Sequence, residues 1–275
     1  VKNTRIAFVV SSGRSGTALL GQKLLPALNT DGLQVEATHE YHCTQVQEWA
    51  VRYHSGVMSR QEVQPLLWRL YESARYHSEA PLFVDVSNKL SWHITALTEL
   101  WPDAKFVHII RGGPQTCLSF YHKLKAECYT DRGVKALHHW LARSSGVIPP
   151  QEKEWWWPMP HLDSPFLGDF IWSWGRWQRI CWYWAEVNRV IGKSLENYVR
   201  PKNRMTVRLE DLVGDSGATW LELVTFLGLN WVDVDSLLAR PHNVGWLAEY
   251  EMTDSQEGQF WKLCGKVQEK YYSGV

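Results

Sequence analysis

Short apolar runs that end in glycine-rich or polar turns recur along the chain, and helical periodicity fills most of the intervals between them. Arg5 to Val10 (RIAFVV) reads as a buried parallel strand opening into SSGRSGT. The next segment, ALLGQKLLPAL, has apolar residues at helical spacing, with Pro26 kinking or ending the helix. Leu33 to Thr38 (LQVEAT), Pro81 to Val86 (PLFVDV), Ala104 to Ile110 (AKFVHII) and Arg204 to Leu209 (RMTVRL) are the further predicted strands. Helices are predicted over Gln61 to His77, His93 to Trp101, Gln115 to Lys125, Asp169 to Asn197, Thr219 to Leu227 and Ser255 to Tyr272. Strands alternating with helices specify an α/β fold of three layers, a central parallel sheet flanked by helices, expected as a single domain over residues 1–275.

One stretch breaks the alternation. Between Gly146 and Gly168 the sequence VIPPQEKEWWWPMPHLDSPFLG carries Pro, Trp and acidic residues without periodicity. An inserted loop of that length in a compact domain reads as a lid or binding loop. Trp155, Trp156 and Trp157 are expected to cover a bound ligand, since aromatic faces suit sugar rings and alkyl chains alike. Trp172, Trp174, Trp177, Trp182 and Trp184 are expected to pack structurally.

Composition narrows the classes. With 29 basic and 29 acidic side chains the formal net charge is zero, which argues against broad affinity for nucleic acid. No apolar run reaches membrane-spanning length, so stable membrane insertion is not expected and a cytoplasmic location is. Cys43, Cys117, Cys128, Cys181 and Cys264 are odd in number and lack a CxxC pair, which predicts a reduced compartment and no structural zinc or other metal site. The oligomeric state is not encoded in any of these patterns.

The chemistry concentrates at strand ends. After the first strand comes Gly13-Arg14-Ser15-Gly16-Thr17-Ala18, then a helix. That arrangement aims the backbone N–H groups of Ser15 to Ala18 and the positive end of a helix at an anion. Gly13 and Gly16 allow a tight turn and close approach, and Ser15 and Thr17 bring hydroxyls. An ATP-type loop needs GxxxxGK[ST], whereas here no Lys precedes Thr17 and the basic residue is Arg14. The fourth strand runs into Arg111, and Ser119 follows eight positions later. A guanidinium at the carboxyl edge of the sheet together with a hydroxyl suits a second phosphate. Two phosphate sites on adjacent strand ends suggest one nucleotide phosphorylated at both ends of its ribose.

These residues resemble the sulfotransferases that use 3′-phosphoadenylyl sulfate (PAPS). RSGT is similar to that family's 5′-phosphosulfate loop, FVHIIRGGPQTCLSFYHK to its 3′-phosphate motif, and RLEDL, Arg208 to Leu212, to a third element of the form YEDL. The resemblance implies a P-loop NTPase-like sulfotransferase fold, PAPS as donor with 3′,5′-bisphosphoadenosine (PAP) as product, and no metal requirement. By it, Arg14 and the loop amides hold the 5′-phosphosulfate, while Arg111 and Ser119 hold the 3′-phosphate.

The second strand ends in His39-Glu40-Tyr41-His42, and its Glu-x-His spacing resembles the KExHFF element of heparan sulfate sulfotransferases, in which the Glu is the base. That likeness implies Glu40 as general base with His42 as donor or alternate base; His39 is a further alternative. Related enzymes often carry a Lys-Ser-Pro sequence where this chain has Val86-Ser87-Asn88; Val86 takes the place of that lysine, and the sequence does not assign its role to Lys89. Asp85 reads as structural, or as a magnesium-holding acid if the chain were a kinase. Arg240 to Trp246 (RPHNVGW) is expected to close over the 3′-phosphate. The expected activity is sulfuryl transfer to a hydroxyl of a small-molecule, lipid or glycan acceptor. The rivals are a magnesium-dependent P-loop kinase and a non-catalytic glycan- or lipid-binding module.

Overall fold

The computed structural model describes residues 4–30, 32–125, 127–142, 156–214, 217–234 and 250–273. Five strands, β1 (Arg5–Val10), β2 (Val35–His39), β3 (Leu82–Val86), β4 (Lys105–Ile110) and β5 (Arg204–Arg208), form one sheet in the order β2-β3-β1-β4-β5. Every pairing is parallel, with Ala7 opposite both Val84 and Lys105. This is the expected three-layer α/β architecture. β1 is central: the chain leaves it to build β2 and β3 on one side, then crosses to build β4 and β5 on the other. The loop after β1 therefore lies where the strand order reverses, the place at which open parallel sheets bind ligands.

Contacts divide the chain into two compact units, each assembled from separate stretches of sequence. The first comprises residues 1–41, 64–111 and 190–245 and holds the whole sheet. Its central strands are buried on both faces, and alternation sorts their side chains. Ala7 and Val9 of β1 join a core with Leu19, Leu20, Leu24 and Leu25 from α1 (Thr17–Leu19), a π-helical stretch (Leu20–Leu24) and α2 (Leu25–Ala27), three pieces that run on without a break. Trp220, Leu223, Val224 and Leu227 belong to the same core. They lie on α11 (Ala218–Leu227), which follows α10 (Leu209–Gly214). Phe8 points to the opposite face, where its ring meets Tyr71 edge-on at 5.2 Å and Phe106 at 5.4 Å. The helix α5 (Ile94–Leu100) follows β3 after a 3-10 turn (Asn88–Trp92) that sequence periodicity does not mark.

The second unit comprises residues 42–63, 112–189 and 246–275. It contains α3 (Cys43–His54), α6 (Gly113–Lys123), α7 (Asp131–Ala142), α8 (Leu167–Trp172) and α12 (Asp254–Tyr272), while α4 (Arg60–His77) and α9 (Arg176–Tyr198) each run across the division in sequence. The sequence pattern does not single out α3 or α7. It also predicts one helix over 169–197, where the structure has two, interrupted at Ser173–Gly175. Arg179 explains the break: its guanidinium donates to the carbonyls of Phe170 and Ile171 at the end of α8, and to Asp131 at 2.6 Å. Helix-end carbonyls otherwise lack donors, so a buried arginine satisfying them stabilises a stop that periodicity does not encode. α12 begins with a reciprocal capping box between Thr253 and Gln256. Among the described residues no helix is long and apolar enough to cross a membrane.

Candidate functional site

In the first unit, the loop from Ser11 to Gly16 is held by its own polar groups. The amide of Gly13 donates to Oγ of Ser11 at 2.9 Å, and Oγ of Ser15 donates to the carbonyl of Gly13 at 3.0 Å. Ser91 ties the start of the loop from both sides, accepting from the amide of Ser11 and donating to its carbonyl at 2.7 Å. The result is a turn with Gly13, Arg14 and Gly16 at φ of 81°, 56° and 83°. An arginine in the left-handed region carries a backbone cost that the surrounding bonds must offset. At Gly16 a side chain is excluded twice: by φ, and by the Leu209 Cδ1 that would lie 2.5 Å from an added Cβ. Successive left-handed residues before a helix turn amides toward a common point, which is an anion-binding concavity.

Arg111 follows β4 and reaches this loop, its Nη1 donating to the carbonyl of Arg14 at 3.2 Å. Burial, and then the positive charge of Arg111, hold the Arg14 guanidinium below its ordinary range. Two guanidiniums brought together on a partly buried loop destabilise one another, and an anion between or beside them relieves that repulsion.

The ends of β2 and β3 supply the rest. Glu40 has φ of 58°, and its Oε1 lies 2.8 Å from Nζ of Lys89. Nε2 of His39 lies 3.2 Å from Oγ1 of Thr17, which ties the β2 end to the start of α1. Burial chiefly lowers the pKa of His39; Glu40 opposes that effect and Lys89 adds to it, so the imidazole favours the neutral form. Asp85 stands beneath this loop, fully buried, and accepts from the hydroxyl of Tyr71 at 2.6 Å, the amide of Tyr41 at 3.2 Å and Oγ1 of Thr38 at 3.3 Å. Burial pushes its pKa up to about 7 despite those three bonds, and the Glu40 charge adds to the rise. The first unit thus brings together the loop from Gly13 to Ala18 with Arg111, His39, Glu40 and Lys89 along one edge of the sheet.

His42 and Ser119 belong to the second unit. His42 caps the start of α3 with φ of 46° and is exposed, and its carbonyl accepts from the amide of Val46. Ser119 is fully buried on α6. The described tryptophans of the aromatic segment pack against other rings: Trp156 is buried against Trp140 at 4.6 Å, and Trp157 meets Phe120 and Tyr183 edge-on while its indole N–H donates to the carbonyl of Glu127, whereas Phe166 further along is exposed. Trp177 and Trp184 are core residues as expected, whereas Trp172 is exposed with Nζ of Lys135 over its ring at 5.2 Å. Trp155 and the RPHNVGW segment at 240–246 lie outside the described residues.

A model of the sulfotransferase family matches residues 57–149, the stretch that carries Arg111 and Ser119. Among solved structures, the fold is similar to a sulfotransferase from Alicyclobacillus acidocaldarius (TM-score 0.56, 14% identity, covering 98% of this chain and 96% of that one). The chain has the sulfotransferase fold. It is likewise similar to the sulfotransferase domain of the Synechococcus PCC 7002 olefin synthase (TM-score 0.54, 16% identity, 97% and 96%). A third likeness is to the sulfotransferase domain of the curacin biosynthetic pathway (TM-score 0.52, 14% identity, 99% of each chain). No curated protein matches it by sequence. Within this sulfotransferase fold, Lys89 is the residue whose place sequence reasoning leaves open. The signal is present but local: the lysine two residues after Ser87 is placed by a tight 3-10 turn, not by strand spacing.

Proposed function

We propose that the protein transfers the sulfuryl group of PAPS to a hydroxyl of a small-molecule, lipid or glycan acceptor, releasing PAP. The observation that carries this reading is the pairing of Arg14 and Arg111 over a loop of left-handed residues at the centre of a parallel sheet. A cradle of amides with two guanidiniums fits a polyanionic nucleotide, and it lacks the lysine before Thr17 that a magnesium-dependent P-loop kinase uses.

In this reading Arg14 and the amides of Ser15 to Ala18 hold the 5′-phosphosulfate. Arg14 is permanently charged, so it stabilises negative charge on the moving group but is a poor proton donor to the leaving oxygen. Arg111 holds the 3′-phosphate, with Ser119 assigned to it by the sequence motif alone. When bound, PAPS supplies the electrophilic sulfuryl group and a stable leaving group. Glu40 takes the acceptor proton, and Lys89 fixes the carboxylate in place and adds positive charge at the same edge. His39 and His42 stand as alternate bases.

A thermal-shift comparison tests the reading without knowledge of the acceptor. PAP should raise the melting temperature, and ATP with magnesium should raise it less. Protection by ATP with magnesium alone would favour a kinase. Protection by neither would favour a non-catalytic binding module.

A further inference from the structure

Three of the five cysteines, distant in sequence, meet at one point inside the second unit. Cys117 on α6, Cys181 on α9 and Cys264 on α12 are all fully buried, and their sulfurs lie within 4.8 Å of one another. Sγ of Cys264 donates to the carbonyl of Cys181 at 3.2 Å. Three helices thus each contribute one sulfur to a triangle. The neighbouring packing is close: a Cβ at Gly113 of α6 would lie 2.6 Å from the ring of Phe260, and the Gly113 amide donates to Oε1 of Gln268 on α12 at 2.9 Å. None of the five cysteines forms a disulfide.

A triangle of thiols is a ligand set for a thiophilic ion that takes three bonds. Zinc in structural sites is four-coordinate, and among the described residues only these three donors converge. Charge then decides among soft ions. Three thiolates around a cuprous ion carry two net negative charges, and around zinc one, whereas the burial of uncompensated charge is costly. A trivalent ion gives a neutral centre. The structure assigns Cys117, Cys181 and Cys264 as a buried trithiol site for trivalent arsenic. This assignment stands independently of the PAPS reading.

The step balances without an oxidant. Arsenous acid and three thiols give one arsenic bound to three sulfurs, and three waters. Three As–O and three S–H bonds break, three As–S and three O–H bonds form, and no oxidation state changes. Bonds of roughly 2.3 Å, as for other thiolate ligands, need sulfurs roughly 3.5 Å apart, within reach of small side-chain rotations from the observed triangle. Burial makes entry depend on transient separation of α6, α9 and α12, so loading should be slow.

The test is equilibration of the fully reduced protein with arsenous acid, read by native mass spectrometry and by melting. The expected result is one arsenic per chain with loss of three hydrogens, and a melting temperature raised by about 5 °C at a hundredfold excess over Kd. Cys117→Ala, Cys181→Ala and Cys264→Ala, each confirmed as folded by circular dichroism, should weaken binding about a hundredfold, because each removes one arm of the chelate. Cys43→Ala and Cys128→Ala should bind as the parent does. If one of the three triad variants fails to fold, the other two decide. Absence of the arsenic adduct, an adduct that keeps a hydrogen on one of the three sulfurs, binding that survives all folded triad variants, or loading by cuprous ion alone would overturn the assignment.

Discussion

Nζ of Lys89 lies 2.8 Å from Oε1 of Glu40, joining the turn after β3 to the residue that follows β2. The pair carries two roles in the proposed reaction, a carboxylate to accept a proton and a cation beside the transferring group. Glu40→Gln should therefore keep PAP affinity within about twofold while lowering turnover by about 10²–10⁴, the usual contribution of a general base. Lys89→Met should also lower turnover. Steady-state rates beside calorimetric PAP binding check both; a fully active Glu40→Gln enzyme would move the base to His39 or His42.

Gly16 meets two constraints at once, a φ of 83° and the side chain of Leu209. Gly16→Ala should destabilise the fold by about 1–3 kcal/mol through backbone strain and the forced movement of Leu209. Adding Leu209→Ala should relieve the steric part only. Denaturant unfolding of the two variants separates the contributions, with the double variant also carrying the cost of a lost apolar side chain.

Asp85 keeps its proton to higher pH in the folded chain than in the unfolded one. Its pKa rises from an ordinary 3.8 to about 7, so its stabilising effect is fully present below pH 3.8 and is lost as pH rises through 7. The loss amounts to about 4 kcal/mol by linkage. Asp85→Asn preserves an acceptor for Tyr41 and Thr38 and should remove this slope, becoming more stable than the parent above pH 7. Urea melts across pH 4–8 test the sign.

His54 acts in the opposite sense. Burial, with Arg189 and His161 adding to it and Glu186 opposing, lowers its pKa from 6.5 to about 4. The neutral imidazole is favoured in the fold, so its contribution is present above pH 6.5 and is lost as pH falls through 4, by about 3 kcal/mol. His54→Gln should flatten the acid limb of the stability profile between those values, which urea melts over the same range would show.

The parallel sheet was legible because its strands are apolar runs bounded by turns, and the loop from Gly13 to Thr17 and Arg111 were legible from their positions at strand ends. What sequence periodicity concealed depended on side chains meeting across distance. The break between α8 and α9 rests on Arg179 satisfying carbonyls, which no spacing announces. Lys89 reaches Glu40 through a 3-10 turn. Cysteines 64 and 83 positions apart along the chain (181 − 117 and 264 − 181) converge because α6, α9 and α12 pack together. In the WWW segment, read as a covering loop, Trp156 is buried and Trp157 half-buried among other aromatic rings, because packing indoles against rings outweighs exposing them.

Calorimetric titration of PAP into the parent protein and into Arg111→Ala, at one salt concentration and with folding checked by circular dichroism, bears most directly on the nucleotide-binding reading. A single site in the parent, weakened about a hundredfold in the variant through loss of a charged hydrogen-bonding fork, is the expected result. Equal affinity in the two proteins, or no heat of binding in the parent, would contradict it.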